Sequence, residues 1–141
     1  MITVLVVDDH PRVRDSLADL LSSTGDMVVV GQCSDGDEGL DADRRLRPDV
    51  VLMDVAMQRT DGLSATEVVV SERPDARVVI LTGSVSGSLV RRAAEVGAVG
   101  YQLKGDNPGD LIDAVRTVAR GGTAWSDGAL AFLSPPEDQS N

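Results

Sequence analysis

The sequence predicts an α/β protein: a doubly wound, five-stranded parallel sheet built from five successive βα units. Three observations predict it. Apolar strand-like runs alternate with helical patterns five times along the chain. Those runs are rich in Val, Ile and Leu without strict alternation, as in strands covered by helices on both faces. Asp, Thr and Lys recur at the carboxyl ends of the runs, where parallel strands open onto a shared crevice.

The first strand, 2–7, is Ile2-Thr-Val-Leu-Val-Val7 and closes on Asp8-Asp9. Pro11 suits the first turn of the following helix, where a missing N–H costs nothing. Val13, Leu17, Leu20 and Leu21 then share one helical face, and Gly25 ends it. After the second strand, 27–32, the second helix, 36–47, is the weakest: Leu40 and Leu46 are its main apolar anchors, and Pro48 stops it. The third strand, 49–54, closes on Asp54. The third helix, 63–73, presents Leu63, Val68 and Val69, with Pro74 beyond. The fourth strand, 77–82, ends at Thr82. The fourth helix, 87–97, carries Leu89, Val90, Ala93, Ala94 and Val96 and is capped by Gly97. The fifth strand, 99–103, is followed by Lys104. Asn107-Pro108 opens the fifth helix, whose stripe is Leu111, Ile112, Val115, Val118 and Ala119, and Gly121-Gly122 closes it. Residues 1–122 make one domain. Residues 123–141 make a C-terminal extension: a short turn or helix over Trp125 to Leu133, expected to place Trp125 on the fifth helix, then the polar Ser134-Pro-Pro-Glu-Asp-Gln-Ser-Asn141 as a mobile tail or the start of a linker.

Bulk properties narrow the function. The chain has 141 residues, room for one domain with a real core. No apolar stretch approaches the roughly 20 residues of a membrane helix, and Met1-Ile-Thr-Val runs straight into a strand without a basic leader. Cys33 is the sole cysteine, which forbids an internal disulfide, fits a reducing cytoplasm and reads as a packing residue. A net charge of −10 opposes direct nucleic-acid binding, which depends on Lys and Arg neutralising phosphates. The short basic clusters Arg44-Arg45-Leu-Arg47 and Arg91-Arg92 read as solvated helix faces.

If the strands are parallel, Asp8, Asp9, Asp54, Thr82 and Lys104 converge. Three clustered carboxylates repel one another unless a cation joins them. Mg2+ prefers oxygen ligands, so the cluster itself argues for that metal. A phosphoryl group on Asp54 would form an acyl phosphate. Mg2+ and Lys104 would neutralise its charge, and the Thr82 hydroxyl would donate to a phosphoryl oxygen, the positioning and charge stabilisation that phosphoryl transfer requires. The structural alternative for any one such Asp is a helix cap or solvated turn; the set at one end of successive strands points to a phosphorylation switch.

Five segments resemble the receiver domain of bacterial two-component response regulators, over about residues 2–122. They are Val6-Val-Asp-Asp-His-Pro-Arg-Val-Arg14, Pro48-Asp-Val-Val-Leu-Met-Asp54, Asp61-Gly62, Leu81-Thr-Gly83 and Gly100-Tyr-Gln-Leu-Lys104. The Asp-Asp-His-Pro opening, the Gly-Tyr-x-Leu-Lys segment and the Ala119-Arg-Gly-Gly122 ending are similar to the NarL/FixJ subgroup. The resemblance implies a (βα)5 flavodoxin-like receiver fold with strand order 2-1-3-4-5. It implies that Asp54 accepts phosphate from a sensor histidine kinase. Asp8, Asp9, Asp54 and the backbone carbonyl of Ala56 would hold Mg2+, and Thr82 and Lys104 would grip the phosphoryl group. Tyr101 would be an aromatic switch, turning inward as Thr82 moves. Such a domain signals and is not an enzyme in the ordinary sense. It would be cytoplasmic and would regulate transcription through a missing or separate effector. The face of the fourth helix, fifth strand and fifth helix, or that of the first and fifth helices, would form a homodimer, and the first helix would face the kinase. The loop Val85-Ser-Gly-Ser88 suits the movement that couples pocket to output face.

The chain departs from the family pattern in three places. Met57-Gln58 replaces the common Met-Pro, which frees the loop Gln58-Arg-Thr-Asp61. Ala56 and Ser84 stand where the family tunes phosphate lifetime; Ala56 has no side chain to position water, which predicts slow-to-moderate self-dephosphorylation. A helix-turn-helix domain, usual in the subgroup, is missing, and the Pro-Pro tail sits where its linker would begin. His10 is read as a helix cap or a residue at the pocket rim. Two rivals fail on residues: a haloacid-dehalogenase-type phosphatase needs a second Asp where Ala56 stands, and a flavodoxin-like carrier would set Asp8-Asp9 against the flavin phosphate. A phosphate-independent receiver-like module is the alternative that Gln58 and Gly105 keep open.

Overall fold

The computed structural model describes residues 1–55 and 61–133 of the chain. Ala56, Met57, Gln58 and the tail from Ser134 fall outside the described residues, and with them the expectations on the Ala56 carbonyl, the freed loop and the linker. The elements run β1 (Ile2–Val7), α1 (Pro11–Ser22), β2 (Met27–Cys33), α2 (Gly36–Leu46), β3 (Val50–Asp54), α3 (Gly62–Glu72), β4 (Val78–Thr82), α4 (Gly87–Glu95), β5 (Gly100–Leu103), α5 (Pro108–Ala119), β6 (Ala124–Trp125) and α6 (Asp127–Leu133). The strands form one parallel sheet in the order β2-β1-β3-β4-β5-β6. The α/β doubly wound class and the 2-1-3-4-5 order stand as expected; the sheet has six strands, one more than the five predicted. Among the described residues no helix is long and apolar enough to cross a membrane.

The continuous apolar runs follow from two cores, one on each face of the sheet. Leu5, Val7, Val51, Met53, Val78 and Ile80 pack on one side with Ala42, Val69, Val90 and Ala129, from α2, α3, α4 and α6. Val4, Val6, Val50, Leu52, Val79 and Leu81 pack on the other with Leu21, Leu111, Val115 and Val118, from α1 and α5. Alternate residues of β1, β3 and β4 serve opposite cores, so from Val4 of β1 and throughout β3 and β4 the positions are apolar until the strand ends.

Most helices start on local signals. Asp35 accepts from the Glu38 amide at 2.9 Å, Asp61 from Leu63 at 2.9 Å and Asn107 from Gly109 at 2.8 Å. Proline occupies the first turn of α1 and α5. The C-cap of α2 is Arg47, with φ of 46°; the residue before a proline is pushed out of the right-handed helical region. Two expected anchors are corrected. Leu46 and Val68 are exposed, because α2 and α3 lie on the sheet through smaller neighbours, Gly39, Ala42 and Ala65, beside Leu63 and Val69.

Candidate functional site

The strand register builds the site. Val7 lies opposite Met53 and Asp54 opposite Leu81, so Asp8 leaves β1 level with Asp54. Thr82 lies opposite Leu103, and the Lys104 amide donates to the Thr82 carbonyl at 2.8 Å. All five predicted residues stand at this carboxyl edge. Asp8 and Asp54 are buried, Thr82 is 4% exposed, and Asp9 and Lys104 are half-buried.

Lys104 Nζ is 2.8 Å from Asp8 Oδ2 and 3.4 Å from Asp54 Oδ1. Burial pulls the Lys104 ammonium down, but its contacts with Asp8 and Asp54 together hold it above the ordinary lysine value. His10 sits at the rim: its Nδ1 is 2.9 Å from Asp9 Oδ1 and 3.2 Å from Asp8 Oδ1, and its amide donates to Asp8 Oδ1 at 2.9 Å. As the N-cap of α1 its side chain makes no capping bond, so of the two expected roles it fills the rim one.

Ligand atoms of Asp8, Asp9, His10 and Asp54 all lie within 4.8 Å of one another. Three carboxylates at that spacing match a small, hard cation such as Mg2+, which binds oxygen at about 2.0–2.1 Å and keeps part of its water. The imidazole is a poor donor for that ion and instead pairs with the carboxylates.

Two supporting residues escape a reading of the sequence alone. Arg14, one turn into α1, donates to the Asp8 carbonyl at 2.7 Å and fixes the chain where β1 ends. Gly62 opens α3 against the main chain of Asp54: a Cβ there would lie 2.1 Å from the Asp54 carbonyl oxygen. Asp61-Gly62 was visible as a motif, but the close backbone approach that requires the glycine was not.

Tyr101 is fully buried, and its hydroxyl donates to the Ser84 carbonyl at 3.0 Å. Burial raises its phenol above the usual tyrosine value. In this structure the ring therefore points into the core. Trp125, expected on the fifth helix, is corrected: its ring stacks on Tyr101 with centroids 6.4 Å apart and planes 16° from parallel. The parallel pairing of β6 with β5 sets the two residues side by side. Ser84 is exposed at the start of the turn between β4 and α4.

The family model of the response regulator receiver domain matches residues 4–116. The transcriptional regulatory protein LiaR of Bacillus subtilis (strain 168) is 39% identical over 121 residues, covering 86% of this chain and 57% of LiaR. The response regulator protein VraR of Staphylococcus aureus (strain Mu3) is 36% identical over 132 residues, covering 94% of this chain and 63% of VraR. The chain therefore spans little more than half the length of such curated relatives. The crystal structure of a two-component response regulator of the LuxR family from Aurantimonas sp. SI85-9A1 superposes with a TM-score of 0.91 at 28% identity, covering 100% of this chain and 99% of that one.

Proposed function

The chain belongs to the response regulator receiver domain family, in its NarL/FixJ-like branch, and from that premise we propose how its own residues work as a phosphorylation-activated switch. Asp54 is the phosphoacceptor. The observation that carries this is its place: a buried carboxylate at the end of the central β3, 3.4 Å from the Lys104 ammonium and flanked by two more acids.

The donor is a phosphohistidine on a sensor histidine kinase. One carboxylate oxygen of Asp54 attacks phosphorus, the P–N bond breaks as the P–O bond forms, and the departing imidazole takes up a proton. The products are an acyl phosphate on Asp54 and a neutral histidine. Asp8, Asp9, Asp54 and the Ala56 carbonyl would hold Mg2+, which supplies positive charge to the phosphoryl oxygens and to the crowded carboxylates. Lys104 holds its proton throughout and offers a second positive charge beside Asp54. The Thr82 hydroxyl donates to a phosphoryl oxygen, and Thr82 and Tyr101 carry the change to the turn that follows β4. Ala56 and Ser84 set how long the phosphate lasts, and with Ala56 offering no group to orient water, loss is slow to moderate.

The kinase docks on the α1 side. An apolar groove of about 100 Å3, lined in part by Val13, Leu17 and Leu20 of α1 and Pro108 and Leu111 of α5, opens beside Lys104. Residues 1–122 act as the receiver and 123–141 as the extension toward an effector that regulates transcription in the cytoplasm. A homodimer through α1 and α5 fits better than one through α4, β5 and α5, because β6 pairs with the free edge of β5 and α6 lies on α4.

Intact-mass spectrometry after incubation with acetyl phosphate and Mg2+ tests the reading, beside an Asp54→Asn control. The expected result is one phosphoryl group on the wild type and none on the variant. A folded wild type that gains nothing would favour the phosphate-independent module.

A further inference from the structure

Resting on the reading of Asp54 as phosphoacceptor, we infer that Trp125 is a second switch residue, through which Tyr101 and the β4–α4 turn control the position of α6.

The Ser84–Gly87 turn is gripped from two sides. From below, the Tyr101 hydroxyl holds the Ser84 carbonyl at 3.0 Å. From above, α6 leans on the same turn. A Cβ on Gly87 would lie 2.8 Å from the Phe132 ring, and one on Gly128 would lie 3.3 Å from Val85. Ala129, in the middle of α6, is fully buried in the core that contains Tyr101, Val90 and Ala93. Ser84 lies two residues after Thr82, so any shift of Thr82 toward a phosphoryl group pulls on the turn that α6 touches.

Trp125 joins these two grips. Its ring covers Tyr101, and its strand is tied to β5 by main-chain bonds from Ala124 to Val99 and from Ser126 to Tyr101, each 2.9 Å. The Gln102 side chain adds a third tie, donating to the Ala124 carbonyl at 2.9 Å. Gly100 permits this approach, because a Cβ there would lie 2.8 Å from the Ala124 oxygen. Ser126 then turns the chain directly into α6, where the Leu130 amide donates to its carbonyl at 2.9 Å. Tyr101 cannot leave its buried place without parting from Trp125, and Trp125 cannot move without dragging the start of α6. Coupling of this kind is reciprocal: what phosphorylation does to Trp125, the stack does to phosphorylation.

Trp125 is the only tryptophan in the chain, so its emission reports this site alone. The full chain is incubated with acetyl phosphate and Mg2+, and each sample is split between intact-mass spectrometry and Trp125 emission with acrylamide quenching. Emission and quenching are expected to change in proportion to phosphate bound, and to stay constant in Asp54→Asn. Full phosphorylation with both signals unchanged overturns the inference while leaving the phosphoacceptor reading intact. No phosphate uptake overturns that reading and this inference with it. Trp125→Ala, checked for native circular dichroism, is expected to slow phosphate uptake about two- to tenfold, the range an aromatic pair spans, with Trp125→Phe restoring it. Uptake at the wild-type rate in a folded Trp125→Ala protein also overturns the coupling.

Discussion

Lys104 puts one positive charge between two buried carboxylates, and much of the behaviour of the site follows from that charge. Replacing it in Lys104→Met leaves Asp8 and Asp54 facing each other in a poorly hydrated place. Breaking a buried pair by removing one partner costs about 3–5 kcal/mol. We expect urea unfolding to show a loss of that order, partly recovered by millimolar Mg2+; unchanged stability without the metal would contradict the account. The pH sign follows from the raised Lys104 value: the stabilisation is complete below the ordinary lysine pKa of 10.5 and is lost as pH climbs through the higher folded value. Cys33 behaves in the opposite spirit. Burial pushes its thiol up to about 11, so at pH 8 only about one molecule in a thousand is thiolate. Iodoacetamide at pH 8 is expected to label it slowly in the native protein and rapidly in urea, and equal rates would refute its packing role. The five polar residues of the site were legible because each ends or directly follows a largely apolar run at the same edge of the sheet. The rim place of His10 was one of two readings, whereas the Arg14 bond was not legible, because it depends on the path of the chain from β1 into α1, which apolar periodicity does not encode.

At the scale of elements, close approach matters more than hydrophobic bulk. Gly62→Ala is expected to destabilise the fold by about 3 kcal/mol, the upper end of overpacking costs, because its Cβ would meet rigid main chain at Asp54. The same change is expected to lower phosphate uptake by moving the acceptor; a stable variant with normal uptake would show that α3 can shift away freely. Helices α2 and α3 are joined by Arg73, which pairs at 2.5 Å with the buried Asp43 and also donates to the Pro48 carbonyl at 3.2 Å. Arg73→Ala strands a buried carboxylate and is expected to cost about 3–5 kcal/mol in chemical denaturation, with Asp43→Asn in the same background recovering part of it. These same elements mark where the sequence was hard to read. Leu40 and Leu46 are the visible apolar residues of α2, yet only Leu40 packs on the core; the helix closes on the sheet through Gly39 and Ala42, and a Cβ on Gly39 would already lie 2.9 Å from Val7. Small residues carry no periodic apolar signal. Strand β6 has two residues and was invisible for a related reason, since alternation needs more length than that to register.

The whole molecule carries a net charge of −10 and gathers part of it in one crevice, so a divalent cation should stabilise it measurably. A ligand that binds only the folded state at 100 times its Kd contributes about 2.7 kcal/mol. That corresponds to a rise of several degrees in Tm for a domain of this size. We expect Mg2+ to produce such a rise, EDTA to reverse it, and Asp9→Asn to remove most of it; an equal rise in the variant would place the ion elsewhere. The strand order has a consequence of another kind, for the sequence in which the protein assembles. Once β1 and β2 have paired, every later strand joins the sheet beside one already made: β3 beside β1, then β4, β5 and β6 each beside its predecessor. Growth can therefore keep pace with synthesis, at about 5–20 residues per second, without any strand waiting for a neighbour still to be made. The three aspartates meet when β3 docks, and their lysine arrives only with β5, so the crevice passes through a stage without that ammonium. The last strand to be made, at the edge of the sheet, is the one that bears Trp125. In a refolding experiment its fluorescence should trail the far-ultraviolet dichroism, marking the moment when the sheet is closed.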